Sequence, residues 1–183
     1  YSALVVNDSL KFEDSVNLLK FRSKAMQDSM PIGTGGMIAL IGCTDGIISK
    51  VLKSAKKFGQ IYVANDNANG QIVLSGEIAA IEYINSNQKE LKIRRAINLP
   101  VSAPFHCELI KSASNAMSNE IQNYIFRPFV VPLYSNVTAG KCTEKEISNL
   151  LIDQIISKVR WREIVENMID DGISNFIEIG PGN

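Results

Sequence analysis

From Tyr1 to Met30, Val16, Leu18, Leu19, Phe21, Met26 and Met30 recur among charged residues at spacings near 3.6, which predicts helix over that stretch. The Pro31-Ile32-Gly33-Thr34-Gly35-Gly36 run breaks the pattern and reads as a hinge. Beyond it the period changes. Residues 36–43 form a continuous apolar strand. Residues 44–59 form a helix, with Thr44 or Asp45 as cap, an Ile47, Ile48, Val51, Leu52, Ala55 stripe, and Gly59 as its stop. Residues 61–65 and 71–76 are two strands across an Asn69-Gly70 turn; 77–90 is a second helix and 91–99 a last strand. Strand, helix, strand, strand, helix, strand is the split βαβ order of a ferredoxin-like unit, spanning residues 34–98.

The chain then passes through "PVSAPFHC" into a helix with Leu109, Ala113, Ala116, Met117 and Tyr124 on one side. A short strand at 129–136, helices around 144–158 and 161–171, Gly172 and a strand at 175–180 follow. Helices alternating with short apolar strands predict an α/β layer made of residues 1–33 and 99–183, with the small unit inserted into it.

Composition sharpens this picture. At 183 residues and 45% hydrophobic, the chain has material for a real core. Nineteen basic and nineteen acidic side chains cancel, so no overall field recruits nucleic acid or an anionic membrane. Cys43, Cys107 and Cys142 are far apart and odd in number, which reads as free thiols in a reducing compartment, neither a disulfide frame nor a zinc site. With no span-length apolar run and no basic leader, the expected location is the cytoplasm. Gly33, Gly35 and Gly36 are not a dinucleotide fingerprint, because a strand follows them where that motif requires a helix.

Candidate chemistry centres on His106, the only histidine, placed where a strand-like segment gives way to a helix, a position that commonly faces a cleft. A half-buried histidine satisfied by backbone fits the same residues. Gln154 falls on the apolar stripe of Ile147, Leu150, Leu151 and Ile155; an amide there needs partners, unless it lies at the stripe's edge. Arg22, amid Leu18, Leu19, Phe21 and Met26, could clamp a carboxylate through two parallel hydrogen bonds, or lay its stem over apolar neighbours as a surface charge. The Asn-Asp-Asn-Ala-Asn-Gly run, 65–70, reads first as a polar hairpin loop and second as a ligand contact.

Four segments, in one unbroken order, resemble the malonyl-CoA:acyl carrier protein transacylases of bacterial fatty-acid synthesis. "FRSKAMQDSMPIGTGGMIALIG" is similar to the family's arginine helix and Gly-rich entry to its small subdomain, and "NDNANGQIVLSG" to its Asn-rich turn. "LPVSAPFHCELI" is similar to its active-site histidine segment and "IEIGPGN" to its Gly-Pro-Gly element. The resemblance implies an α/β-hydrolase-like large subdomain interrupted by a ferredoxin-like one. It also implies ping-pong transfer of malonyl from coenzyme A to acyl carrier protein through a serine ester, with no permanently bound cofactor or metal. His106 then matches the general base, and Gln154 the residue whose main-chain carbonyl orients it. Arg22 matches the arginine that pairs with malonyl's free carboxylate, while Asn65 and Asn67 lie toward the acyl or coenzyme side of the cleft.

The family's nucleophile lies in a Gly-His-Ser-Leu-Gly elbow immediately before a segment like "YSALV", with which this chain opens, so Ser2 is not the nucleophile. A fragment is therefore expected, inactive alone, with exposed apolar faces on the large subdomain. An acyltransferase domain of a polyketide or multifunctional fatty-acid synthase, and a non-catalytic carrier-protein-binding module, are the alternative readings. RNA binding through the small sheet is not expected, because its strands lack paired base-stacking aromatics.

Overall fold

Alternating side chains build a four-stranded sheet from β1 (Gly35–Ile41), β2 (Ile61–Ala68), β3 (Gln71–Glu77) and β4 (Arg95–Asn98). The computed structural model, which describes residues 1–180, gives the order β2-β3-β1-β4, with every neighbouring pair antiparallel. Successive residues of a strand face opposite sides. Ile38, Leu40, Ile61, Ile72 and Leu74 therefore meet α3 (Asp45–Ala55) and α4 (Ile78–Ser86) in one buried core, through Ile48, Val51 and Ala55 of the first helix and Ala80, Ile81 and Ile84 of the second. Met37, Ala64 and Val73 face the other way, where Leu99, Val101 and Phe105 cover them. The Thr44 side chain caps α3 by accepting from the Ile47 N–H, as its position before the apolar stripe implies.

A second core is helical. It joins α1 (Ser2–Val6), α2 (Phe12–Gln27), α5 (Lys111–Glu120) and α6 (Glu144–Asp153) through Leu4, Leu18, Met26, Met117, Ile147 and Leu151. A capping box opens α6: the Thr143 N–H donates to Glu146 Oε2 at 2.9 Å while the Thr143 side chain takes up the backbone of the first turn. The last helix, α7 (Trp161–Asp170), closes at Gly172. That residue adopts φ +88°, and the Ile173 and Gly172 N–H groups return to the Met168 and Ile169 carbonyls, a Schellman closure that suits glycine. No helix among the described residues is long and apolar enough to cross a membrane.

Several sequence expectations change. The helix over residues 1–30 is two helices, because Asn7 interrupts it. Its buried amide accepts from the Val130 and Val131 N–H groups at 2.5 and 2.9 Å and donates to the Val131 carbonyl at 2.7 Å. Val130 and Val131 thus bond to a side chain instead of a neighbouring strand, and Pro128 and Pro132 remove two main-chain donors. The strand expected at 129–136 shrinks to β5 (Leu133–Tyr134), which pairs with β6 (Lys141–Cys142) in an antiparallel hairpin. The strand expected at 175–180 has no regular structure and is exposed, Ile177 to 85% and Ile179 to 92%. A strand forms only against a partner, and the described residues offer none there. Outside the four-stranded sheet they therefore show helices and one hairpin, without the layer of alternating strands. Gly35 and Gly36 lie within β1, so the expected hinge narrows to the turn around Gly33. Of the Gly-Pro-Gly element, Gly180 alone is within the described residues.

Candidate active site

The sheet face opposite α3 and α4 carries the histidine segment. Phe105 packs with Val101 and Leu99 on Met37, Ala64 and Val73. Gly35 lets the segment approach: a Cβ there would lie 2.5 Å from Pro104 Cδ. The buried Cys107 thiol donates to the Pro104 carbonyl at 3.1 Å, closing a tight turn around position 106. Within this turn His106 takes φ +59°, the left-handed region that costs a non-glycine residue about 1–3 kcal/mol. The surrounding packing holds it there. A 3₁₀ turn, Glu108–Ile110, then leads into α5, so the histidine lies several residues short of the regular helix.

His106 Nδ1 donates to the Gln154 main-chain carbonyl at 3.0 Å. Gln154 is the C-terminal cap of α6, where helix carbonyls lack intrahelical partners and the helix dipole is negative. With Nδ1 committed, the Nε2 lone pair is the one free to take a proton. Burial pushes the imidazole below its ordinary value of 6.5; the Gln154 carbonyl opposes this, the positive Arg22 adds to it, and the Ser157 carbonyl again opposes it. The net direction keeps the ring neutral near pH 7, the form a general base requires.

Arg22 projects from α2 toward the same place. The helix is fastened to the histidine segment by the Ser102 hydroxyl, which donates to Gln27 Oε1 at 2.8 Å. The guanidinium is half-buried, its carbon 6.0 Å from the centre of the Tyr1 ring, and its Nε is buried with no hydrogen-bond partner among the described residues. Burial lowers its pKa, the same effect that raises the buried Tyr1 hydroxyl to about 12 and so keeps that hydroxyl neutral. Arg160 and Arg162, by contrast, are paired with Glu163 and Asp66. A partly desolvated guanidinium with a free donor suits an incoming carboxylate.

Asn65 and Asn67 lie on β2, not in a hairpin loop, since the strand runs on to Ala68. They flank Asp66, whose buried carboxylate accepts from Arg162 Nε at 3.0 Å and Nη2 at 2.7 Å. Beside it, the Asp66 N–H donates to the Val159 carbonyl at 2.8 Å and the Val159 N–H to the Ala64 carbonyl at 2.7 Å. These bonds tie the sheet to the segment that follows Gln154. The structure thus brings His106, Gln154 and Arg22 together and sets Asn65 on the strand bonded to that segment; Asn67 lies farther along, toward the Asn69-Gly70 turn. Sequence reading passed over Asp66, Arg162 and Asn136, which accepts from the Gln154 side chain. The signal for Asp66 was an acid in an otherwise strand-compatible run, but only the fold supplies its partner 96 residues away.

An acyl transferase domain model matches residues 1–182. Over 183 residues the chain is 38% identical to the malonyl CoA-acyl carrier protein transacylase of Haemophilus influenzae, covering all of this chain and 59% of that protein. Identity to the Bacillus subtilis protein of the same name is also 38%, over 184 residues and 58% of its length. The crystal structure of malonyl CoA-acyl carrier protein transacylase from Clostridium perfringens superposes with a TM-score of 0.92 at 38% identity, covering all of this chain and 58% of that one. A malonyl-transacylase solved with its type II PKS acyl-carrier protein gives 0.94 at 33% identity, covering 100% and 59%. The chain thus spans somewhat under three fifths of the length of these relatives. By the match along nearly all of its residues, the chain belongs to the acyl transferase domain family.

Proposed function

We propose that these residues supply the general base and the carboxylate-binding side of a malonyl transferase that moves malonyl from coenzyme A to acyl carrier protein. The observation that carries this reading is the His106–Gln154 pair, with the Nε2 of the ring and the Nε of Arg22, whose charge acts on that ring, without hydrogen-bond partners among the described residues. In the first half-reaction a serine hydroxyl attacks the thioester carbonyl and passes its proton to His106 Nε2. The tetrahedral intermediate collapses, the C–S bond breaks, and the proton goes to the leaving coenzyme A sulfur. In the second half-reaction His106 takes the proton of the carrier's thiol, whose sulfur attacks the serine ester, and returns it to the serine oxygen. Arg22 holds the malonyl carboxylate, and Asn65 and Asn67 line the acyl or coenzyme side. No permanently bound cofactor is required.

On the same reading, residues 34–98 are a ferredoxin-like subdomain inserted into an α/β-hydrolase-like one made of 1–33 and 99–183, and the protein works in the cytoplasm. The β2-β3-β1-β4 order supports the first part. The 183 residues contain no Gly-His-Ser-Leu-Gly elbow, so a polypeptide of these residues alone is expected to be inactive.

The test joins the chain to the residues of the Haemophilus influenzae relative that it does not match, and follows malonyl transfer from malonyl-CoA to acyl carrier protein. Transfer that falls by about 10²-fold or more in His106→Ala supports the reading; transfer indifferent to His106 overturns it. Arg22→Ala should erase the preference for malonyl over acetyl. Tight carrier-protein binding without turnover would instead favour a non-catalytic module.

A further inference from the structure

Gln154 has two separate attachments. Its main-chain carbonyl meets His106, while its side chain, turned inward among Leu150 and Leu151, donates from Nε2 to Asn136 Oδ1 at 2.5 Å. Gln154 and Asn136 border a cavity of about 200 Å³ also lined by Tyr134 and Ser135. Satisfying a part-buried amide needs only some acceptor; the acceptor here lies in a loop bonded on both sides, its own Nδ2 without a hydrogen-bond partner among the described residues, so the Gln154 bond is the one its side chain makes. Asn136 sits in the loop between β5 and β6, where the Ser135 N–H donates to the Gly140 carbonyl at 2.9 Å and the Val137 N–H to Ser135 Oγ at 3.2 Å. From α7 and its cap, Arg160 Nη1 donates to the Val137 carbonyl at 3.0 Å and Asn167 Nδ2 to the Ala139 carbonyl at 2.9 Å. Gln154 itself stands at the frayed end of α6, where the next turn closes on the Ile152 and Asp153 carbonyls and leaves its own to the ring. The Gln154 N–H still reaches the Leu150 carbonyl at 2.9 Å, but the peptide that carries the Gln154 carbonyl is closed only by the longer Ile155 N–H to Ile152 carbonyl bond of 3.3 Å, so a side-chain anchor at this point adds to its fixation.

We propose that Asn136 is a positioning residue: through the Gln154 side chain it fixes the peptide whose carbonyl holds His106 in the Nδ1–H tautomer. The inference rests on the general-base reading above, yet it is read without turnover, so the two can fail independently. Arg22 on α2 is the charged group facing the ring and is left in place throughout.

Because His106 is the only histidine, long-range proton–nitrogen NMR of the ¹⁵N-labelled 183-residue chain reports its ring nitrogens without assignment. Above its titration the wild-type ring is expected as the Nδ1–H form. Asn136→Leu, which removes the acceptor, should shift the neutral ring toward Nε2–H, and Gln154→Met should do the same. Asn136→Asp, which keeps an Oδ acceptor, should retain Nδ1–H. An Asn136→Leu protein with native circular dichroism and an unchanged tautomer overturns the proposal, as does an equal change in Asn136→Asp. If Asn136→Leu does not fold, Gln154→Met decides alone: a retained Nδ1–H tautomer there is equally fatal.

Discussion

His106 combines three features that pull in different directions: a left-handed backbone, a buried ring and a hydrogen bond to a helix-terminal carbonyl. Their net effect on titration carries a definite sign. The folded pKa lies below 6.5, so the unfolded chain binds the proton first as pH falls. The contribution of this group is fully present above 6.5 and is lost as pH drops through the folded value. Urea midpoints of the wild type should therefore fall more than those of His106→Gln between about pH 7.5 and about pH 5, the difference isolating this ring from the carboxylates. Parallel pH curves would show that the ring gains no proton-linked stability from its setting. Sequence alone singled out this residue because a lone histidine at a junction is conspicuous; its backbone conformation and the identity of its acceptor are tertiary facts.

At the scale of elements, two close approaches place the site. The first is Gly35 against Pro104. A Val side chain at position 35 would drive Pro104 off the sheet, so Gly35→Val is expected to cost about 1–3 kcal/mol and to move the His106 ring signals in the NMR spectrum. Unperturbed ring signals would mean that the histidine segment is positioned from elsewhere. The second is the Asp66–Arg162 pair. Asp66 is only 6% exposed while Arg162 is 34% exposed, so the arginine is partly screened and its loss mainly strands a buried carboxylate. Arg162→Met should lower stability by about 1–3 kcal/mol, read from urea unfolding, and an equally stable variant would remove the pair from the list of links between sheet and helices. Periodicity found the elements themselves: β1, β3 and α7 lie where their apolar spacing predicts. It overextended α3, α4 and α6, whose last residues form turns, α3 stopping at Ala55 short of Gly59, and it missed the break at Asn7, whose amide is occupied by a segment more than 120 residues away.

The whole molecule holds two principal cores, one between the sheet and its two helices and one among the helices around α2, joined through Phe105 and its neighbours. Residues 174–180, beyond the Schellman closure of α7, contribute to neither: Phe176, Ile177 and Ile179 are exposed, as are Val6 and Val130 in other segments. A chain ending after Ile173 should unfold at the same urea concentration as the 183-residue chain and bind less of a hydrophobic dye, because residues 174–180 expose apolar surface and pack into neither core. A lower midpoint would show that the tail stabilises the fold.

The order of apolar and polar residues determined which segments of the small sheet and its helices form, because strand and helix periods are local properties of the chain. The four segments in their order likewise identified the acyl transferase relationship. Which carbonyl meets the ring, which acid meets Arg162, and whether an apolar run such as 175–180 becomes a strand were decided only by tertiary structure. Each depends on a partner far away in sequence, and a partner's position is set by packing that no local pattern encodes.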